Sequence, residues 1–290
     1  AEDGIRVFCL SRGLGDVYKR QIDNICNLEC KMCDNRYSTK LYNRDVFMKY
    51  EIHKKLEPNF KKFDTVDFSN LEYVKILGGE PFITPNFIKF IEYLIARTTP
   101  SKITIEIATN GTRIPNNTLI EKLNKFKHID INVSLDGVDK SNDYQRMGSS
   151  YQQVLKNTIE YSKILTNAKV SIHSVISILN ANHFGNTIEE LQNTYKFDVS
   201  VDFVRYPEHL SILYAPPEYV NWVIDQTKNN SVANKMIKDF LKNARYNNVY
   251  WKEFLDTLFK LDNYYKTNLK DFNPELYKFL EENQDNWKDI

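Results

Sequence analysis

The stretch "KITIEIATNG" at residues 102–111 decides which kind of parallel α/β fold the chain forms. Its three isoleucines share one face of a predicted strand, whereas Thr104, Glu106 and Asn110 share the opposite face. The strands of a doubly wound open sheet are buried on both faces, and they are therefore nearly continuous apolar runs. A strand with one polar face instead suits a barrel whose lumen is wet or holds a polar ligand.

The same strand pattern recurs on both sides of this stretch. The predicted strands are "QIDNIC" (21–26), "YVKIL" (73–77), "KITIEIATNG" (102–111), "IDINVSLDG" (129–137), "KVSIHSVISIL" (169–179) and "VSVDFV" (199–204). Segments with helical spacing of their apolar residues lie at 85–98, 117–126, 150–165 and 187–195. Strands that alternate with helices in this way predict an α/β protein with a partial (β/α)6 barrel around a cofactor.

The two ends of the chain differ from this middle part. Residues 1–21, "AEDGIRVFCLSRGLGDVYKRQ", resemble translated adapter sequence. We therefore predict a non-native leader, set aside from the fold, which takes Cys9 with it. Residues 22–205 form the predicted barrel. From residue 206, a segment punctuated by prolines leads into aromatic-rich helices, which predicts a C-terminal helical region over residues 206–290.

The composition narrows the possible functions. The chain has 290 residues and a formal net charge of +1, so it carries no overall basic field for binding nucleic acid. No apolar run reaches the length of a membrane span, and we expect no membrane partner. Thiols clustered without a secretory signal indicate a reducing compartment, which favours the cytoplasm.

Three of the four cysteines, Cys26, Cys30 and Cys33, lie within "CNLECKMC" at residues 26–33. Thiols this close indicate a metal, a disulfide or coincidence. A structural zinc site normally takes four protein ligands in two pairs, and here it would need His53 or another distant residue. A disulfide framework takes an even count in a small secreted domain. Neither description fits this spacing well.

The order of several short motifs resembles that of the radical S-adenosylmethionine superfamily. The Cys-x3-Cys-x2-Cys run follows the first predicted strand, and Arg146 comes shortly after the fourth. Between them lie "GGEP" (78–81), "TNG" (109–111) and "SLDG" (134–137), each at a strand end. Each motif is weak alone, but the ordered set is specific. The tail segments "YPEHLSILYAPPEY" (206–219) and "LDNYYKTNLKDFNPEL" (261–276) resemble those of members with a twitch domain.

The resemblance implies a 4Fe–4S cluster held by Cys26, Cys30 and Cys33. One iron would stay open for the amino and carboxylate groups of S-adenosylmethionine. Met32 would lie against the adenine, at a position that is often aromatic in the family. The implied cofactor contacts beyond the cysteine loop are Gly78, Gly79, Glu80, Asn110, Ser134, Asp136, Arg146 and Asn180.

The resemblance also implies a chemical role for each of these contacts. The glycines allow the backbone to approach the ligand closely, and Glu80 accepts a hydrogen bond from the methionyl ammonium. Arg146 offers a planar fork for the carboxylate, and Asn180 lies near the adenine. The alternatives are an ordinary strand-end turn at Glu80, a surface arginine and a turn asparagine. The polar groups expected in the lumen are Glu106, Asn132, His173 and Asp202, which either handle substrate and protons or satisfy one another.

The same resemblance implies an enzyme. A reduced cluster would cleave the bound sulfonium to methionine and a 5′-deoxyadenosyl radical, which abstracts hydrogen from a substrate. We expect a peptide or protein substrate and an electron donor such as flavodoxin or ferredoxin. A small molecule, such as a nucleoside or cofactor precursor, is the alternative substrate within the family. A non-catalytic metal-binding module that recruits a partner is the alternative from another functional class.

Overall fold

The structure is a computed structural model that describes residues 16–56, 60, 64 and 66–284. Its strands are β1 (Asp16–Gln21), β2 (Glu29–Cys30), β3 (Leu71–Leu77), β4 (Thr104–Thr109), β5 (His128–Ser134), β6 (Arg146–Met147), β7 (Ala168–Ile176) and β8 (Asp198–Phe203). Its α-helices are α1 (Tyr42–Met48), α2 (Pro85–Arg97), α3 (Asn117–Leu123), α4 (Lys140–Gln145), α5 (Tyr151–Ile164), α6 (Phe184–Glu189), α7 (Pro217–Gln226), α8 (Ser231–Leu241), α9 (Asn248–Tyr265), α10 (Leu269–Phe272) and α11 (Pro274–Glu282).

The chain divides into two compact units. Of the described residues, the first unit comprises those within 16–29, 33–134 and 148–171. The second unit comprises residues 30–32, 135–147 and 172–284. The cysteine motif therefore contributes residues to both units.

The first unit is built on a parallel sheet with the strand order β1-β3-β4-β5. Ile76 lies opposite Ile107, and Ile107 lies opposite Ile131, so branched apolar side chains form a continuous layer on one face. The residues between them along β4 and β5 are only half-buried. This confirms the mixed α/β fold and the two unlike faces that residues 102–111 predict.

The first strand lies earlier than the sequence analysis predicts. β1 occupies the end of the segment set aside as a leader, and it pairs with β3 so that Gln21 lies opposite Leu77. The predicted strand "QIDNIC" instead adds one further hydrogen bond, from Ile22 N to Leu77 O at 3.2 Å, and is then irregular. Strand pairing uses backbone groups, which composition does not reveal. Cys9 lies outside the described residues.

Helix α2 illustrates why helices form between the strands. Thr84 is its N-cap, since the side-chain oxygen accepts a hydrogen bond from Asn86 N at 3.2 Å, and Pro85 begins the helix. Phe87 and Leu94 are fully buried on one side of the helix. The helices predicted at 85–98, 117–126 and 150–165 are confirmed as α2, α3 and α5. Helices α1 and α4 were not predicted.

The second unit has an apolar core shared by β7 and the C-terminal helices. Ile176 of β7 belongs to the same cluster as Tyr219 of α7, Trp251 and Phe254 of α9, and Leu276 of α11. The aromatic-rich helices of the tail are therefore confirmed. A domain boundary near residue 206 stays a prediction. None of the helices in the described part of the chain is both long and apolar enough to cross a membrane.

Candidate cofactor site

The glycine turn after β3 holds the chain segment that leads into the first cysteine. Gly79 N donates to Asp23 O at 3.1 Å, and Glu80 N donates to Ile25 O at 2.7 Å. A Cβ atom on Gly79 would lie 2.0 Å from Ile25 O, so only glycine fits there. The expected close approach is therefore made to the protein's own backbone, and it positions the residues just before Cys26.

The carboxylate of Glu80 joins two of the predicted motifs. The side chain is fully buried and accepts hydrogen bonds from Thr109 Oγ1 at 2.7 Å and from Asn110 N at 2.6 Å. It also accepts a hydrogen bond from Phe82 N at 3.1 Å. The pKa of Tyr161 is raised above its ordinary value, first by burial and then by the charge of Glu80. "GGEP" and "TNG" thus meet around one buried carboxylate.

Asn110 connects this carboxylate to a cysteine. Its side-chain nitrogen lies 3.7 Å from Cys26 Sγ and donates to Asn27 Oδ1 at 2.9 Å. Thr112 fixes the amide, because its N–H and hydroxyl both donate to Asn110 Oδ1. Hydrogen bonds to cysteine sulfur tune the reduction potential of an iron–sulfur cluster. The predicted residue Asn110 therefore lies beside Cys26, where an amide N–H can stabilise a thiolate.

A buried ion pair fixes the loop after the third cysteine. Arg44 Nη2 donates to Cys33 O at 2.5 Å and to Asp45 Oδ1 at 2.5 Å. Asp45 Oδ2 in turn accepts a hydrogen bond from Asn35 N at 2.8 Å. Both charged side chains are almost completely buried. Sequence reasoning missed this pair, since adjacent Arg and Asp residues on a short helix carry no recognisable motif.

In the second unit, two members of the cysteine motif are anchored among packed side chains. Cys30 is buried, and Met32 is half-buried against the apolar core of the unit. Between them, Lys31 N donates to Gln145 O at 2.8 Å. The apolar character expected of Met32 thus serves its packing in the second unit. Its place beside the adenine stays a prediction.

Three other predicted cofactor residues contact one another in the second unit. Asp136 Oδ2 and Arg146 Nε form an ion pair at 2.7 Å, and Asp136 Oδ1 accepts a hydrogen bond from Val175 N at 2.8 Å. Asn180 donates to Asp136 O at 2.6 Å. Asn180 also accepts a hydrogen bond from Ser177 N at 2.7 Å, as a turn asparagine would. These contacts give all three residues a structural role, and their roles toward a cofactor stay predictions.

Some of the polar groups expected in the lumen form a hydrogen-bonded network in the first unit. Glu106 accepts hydrogen bonds from Lys75 Nζ at 2.5 Å, from Asn132 Nδ2 at 2.7 Å and from the hydroxyl of Tyr73. Ser171 Oγ donates to Asn132 Oδ1 at 2.6 Å. Burial, followed by the nearby carboxylate, raises the pKa of Tyr73. Glu106 and Asn132 therefore satisfy one another. The half-buried Ser134 ends the same strand as Asn132.

His173 and Asp202, the other two polar groups expected in the lumen, lie in the second unit. His173 Nδ1 lies 3.0 Å from Ser200 Oγ, and His173 Nε2 lies 3.8 Å from a carboxylate oxygen of Asp202. Asp202 is mostly exposed, unlike Glu106. His173 and Asp202 therefore form a looser and more accessible pair than the network around Glu106.

The donor chemistry at the cysteine motif fits an iron–sulfur cluster. Within residues 16–56, 60, 64 and 66–284, no group of three or more His, Cys, Asp or Glu side chains is arranged to hold a metal ion. The metal assignment of Cys26, Cys30 and Cys33 therefore rests on their spacing and stays a prediction. Soft sulfur ligands, with an amide N–H directed at Cys26 Sγ, suit such a cluster better than a hard cation.

Comparisons with known proteins identify the family. A sequence model described as the Radical SAM superfamily matches residues 21–197, which is more than half of the chain. The chain is 25% identical over 156 residues to GTP 3′,8-cyclase of Mannheimia succiniciproducens, a match that covers 53% of this chain and 43% of that protein. It is 29% identical over 111 residues to mycofactocin maturase MftC of Mycolicibacterium smegmatis, covering 38% of this chain and 27% of that protein.

The chain spans less than half the length of these curated relatives. The solved structure of native anSMEcpe with bound AdoMet superposes with a TM-score of 0.52 at 16% identity, covering 79% of this chain and 62% of that chain. At this identity the likeness shows the fold alone. Because the family model covers residues 21–197, the chain belongs to the radical SAM superfamily, whose members work with an iron–sulfur cluster and S-adenosylmethionine.

Proposed function

We propose that the protein is a radical enzyme that holds one 4Fe–4S cluster through Cys26, Cys30 and Cys33 and cleaves S-adenosylmethionine reductively. The observation that carries the proposal is the contact of Asn110 with both Cys26 Sγ and the Glu80 carboxylate, since it joins three family motifs in the first unit. When bound, the two cofactors supply an electron and an alkyl radical that abstracts hydrogen, which is chemistry that no side chain offers.

The protein's own residues bind and orient the cofactor in this proposal. Gly78 and Gly79 let the turn pack against residues 22–25, so that Glu80 presents a fixed negative charge to the methionyl ammonium. Asn110 donates to Cys26 Sγ, as an outer partner that orients a cluster ligand would. Ser134, Asp136, Arg146, Asn180 and Met32 are proposed to complete the cofactor contacts, as the family motifs imply.

A peptide or protein is the proposed substrate. The chain's similarity to a maturase supports it, and the aromatic-rich C-terminal helices offer a place for a large substrate, as a twitch-like region would. A nucleotide or other small molecule is the second candidate, favoured by the longer match to GTP 3′,8-cyclase. A flavodoxin or ferredoxin would supply the electron in either case.

Anaerobic reconstitution with iron and sulfide tests the cofactor proposal. We expect about four irons per chain, iron–sulfur absorbance and release of 5′-deoxyadenosine after reduction with dithionite in the presence of S-adenosylmethionine. Cys30→Ser should abolish all three signals, whereas Cys9→Ser, which lies in the predicted leader, should leave them unchanged. Stoichiometric zinc without iron–sulfur absorbance would show that the proposal is wrong.

The same assay distinguishes the two substrate candidates. Reconstituted protein is incubated with GTP and, in parallel, with short peptides. Consumption of GTP coupled to 5′-deoxyadenosine release would favour the nucleotide. A peptide product with a changed mass would favour the maturase-like function.

A further inference from the structure

A buried lysine lies inside the cysteine motif. The side chain of Lys31, between Cys30 and Met32, has 0% exposure, and its Nζ lies 3.3 Å from Asp262 Oδ1 of α9. The same ammonium lies 3.9 Å from the centre of the Tyr144 ring. Burial of an ammonium is strongly unfavourable unless it is paired. The pairing with Asp262 joins positions 231 residues apart in the chain.

Asp262 is itself fixed by three further donors. Tyr144 Oη donates to Asp262 Oδ1 at 2.8 Å, Thr267 Oγ1 donates to Oδ1 at 2.7 Å, and Leu269 N donates to Oδ2 at 2.8 Å. Helix α9 is capped after Tyr265 by a left-handed residue, Lys266, whose N–H bonds back to Asp262 O. The carboxylate is therefore held rigidly at the point where α9 turns into α10.

Aromatic rings enclose this pair. Tyr144 stacks on Phe272 of α10 with ring centroids 4.9 Å apart, and Tyr265 lies 5.3 Å from Lys31 Nζ. Burial, and then the charge of Asp262, raises the pKa of Tyr144.

We propose that the Lys31–Asp262 pair is a clamp by which the C-terminal helix α9 positions residues 30–32 of the cysteine motif and sets the charge beside the Cys30 thiolate. Lys31 and Asp262 are positioning residues in this proposal. Its second part, the charge beside the cluster, rests on the function proposed above. Its first part does not, because both residues belong to the second unit with or without a cluster.

The clamp has an electrostatic consequence that packing alone would not produce. Lys31 directly follows Cys30, with Cα atoms about 3.8 Å apart, so the clamp places a charged side chain one residue from this predicted cluster ligand. A positive charge near a cluster favours its reduced form, which carries more negative charge. Lys31→Met should therefore shift the midpoint potential to more negative values. Asp262→Asn, which removes the carboxylate beside the ammonium, should shift the midpoint potential to more positive values.

Thermal unfolding of the full chain without iron tests the first part. We expect Lys31→Met and Asp262→Asn each to lower the unfolding midpoint by at least about 4 °C, and the double variant to lose clearly less than the sum. Asp256→Asn is the matched control, because it removes an exposed acidic side chain from the same helix. Additive losses in the double variant would overturn the clamp.

A redox titration of the reconstituted protein, followed by its absorbance, tests the second part. Opposite shifts of the midpoint potential for Lys31→Met and Asp262→Asn, with none for Asp256→Asn, are expected. Iron release to a chelator should become at least about tenfold faster in Lys31→Met. An unchanged potential in Lys31→Met would overturn the charge effect, and this variant decides alone if Asp262→Asn does not fold. Absence of any cluster in the parent protein would refute the proposed function, while the unfolding test would still judge the clamp.

Discussion

Glu80 in the first unit and two carboxylates in the second unit, Asp136 and Asp262, are held by different means. In the first unit, Glu80 accepts hydrogen bonds from the backbone of Phe82 and Asn110 and from the hydroxyl of Thr109. In the second unit, Asp136 and Asp262 form ion pairs with cationic side chains. The same functional group thus orders a backbone turn at Glu80 and holds a cation at Asp136 and Asp262, as Asp45 also does with Arg44 in the first unit.

This difference determines how much stability the protein loses when each carboxylate is removed. Loss of a carboxylate that holds a cation leaves a buried positive charge, which destabilises a protein strongly. Loss of a carboxylate that orders backbone N–H groups leaves donors unsatisfied, which costs less per group.

Asp136→Asn should cause the largest loss of stability. The asparagine can still accept the hydrogen bond from Val175 N, but the side chain of Arg146, 11% exposed, loses the carboxylate of Asp136. We expect the free energy of unfolding to fall by about 3–5 kcal/mol in a urea titration. Asp225→Asn removes an exposed ion pair with Lys228 and should have no measurable effect. Equal effects of the two substitutions would contradict the prediction.

Gly79→Ala should cause the next-largest loss of stability. The added Cβ would lie 2.0 Å from Ile25 O, so the backbone must move and the hydrogen bond from Glu80 N to Ile25 O is strained. We expect a loss of about 3 kcal/mol in the same titration, at the upper end for an overpacked site. Gly185→Ala is the control, since its nearest neighbour is the side-chain Cβ of Asn230 at 3.1 Å. If the two variants were equally stable, the close approach at Gly79 would not be as tight as described.

Glu80→Gln should have a smaller effect on stability and a clear effect on the cofactor. An amide NH₂ would face either Thr109 or the N–H of Asn110, so one buried donor loses its acceptor, at about 1–3 kcal/mol. If the proposed role holds, binding of S-adenosylmethionine weakens as well, which calorimetry on the reconstituted protein measures. Iron content should stay unchanged. A variant that loses its iron would show that Glu80 supports the cysteine loop directly.

The parts of this molecule that sequence could predict are those with local signatures. Alternation within residues 102–111 revealed the two faces of β4, and the short motifs at strand ends led to Glu80 and Asn110, which do meet. Their meeting follows from parallel strands, whose carboxyl ends lie at one edge of a sheet.

The features that the sequence did not predict depend on contacts that leave no local pattern in it. Lys31 and Asp262 are separated by most of the chain, and neither lies in a motif of charged residues. The anchor of Cys33 on Arg44 and the strand β1 were also missed. The partners of Lys31 and Arg44 are chosen by the tertiary arrangement, since any backbone carbonyl or carboxylate near the cation would serve equally well.

Tyr144→Phe should have the smallest effect, and its sign depends on pH. The hydroxyl of Tyr144 donates to Asp262 Oδ1, which keeps its other donors in the variant. Near neutral pH we therefore expect a loss of only about 1 kcal/mol in the free energy of unfolding. This loss is measured against Tyr219→Phe, which removes a hydroxyl bonded to the neutral carbonyl of Ile178.

Above pH 10 the unfolding free energies of the parent protein and of Tyr144→Phe should converge. The pKa of Tyr144 in the folded protein is raised above the ordinary value of 10.0, by burial and by Asp262. The unfolded chain therefore loses this proton first as the pH rises. The contribution of Tyr144 to stability is fully present below pH 10 and declines above it, since ionisation then favours the unfolded state. Unfolding free energies of parent and Tyr144→Phe measured from pH 8 to pH 11 should approach each other only above pH 10. A constant difference across this range would show that Tyr144 ionises as readily in the folded protein as in the unfolded chain, and that Asp262 exerts no charge effect on it.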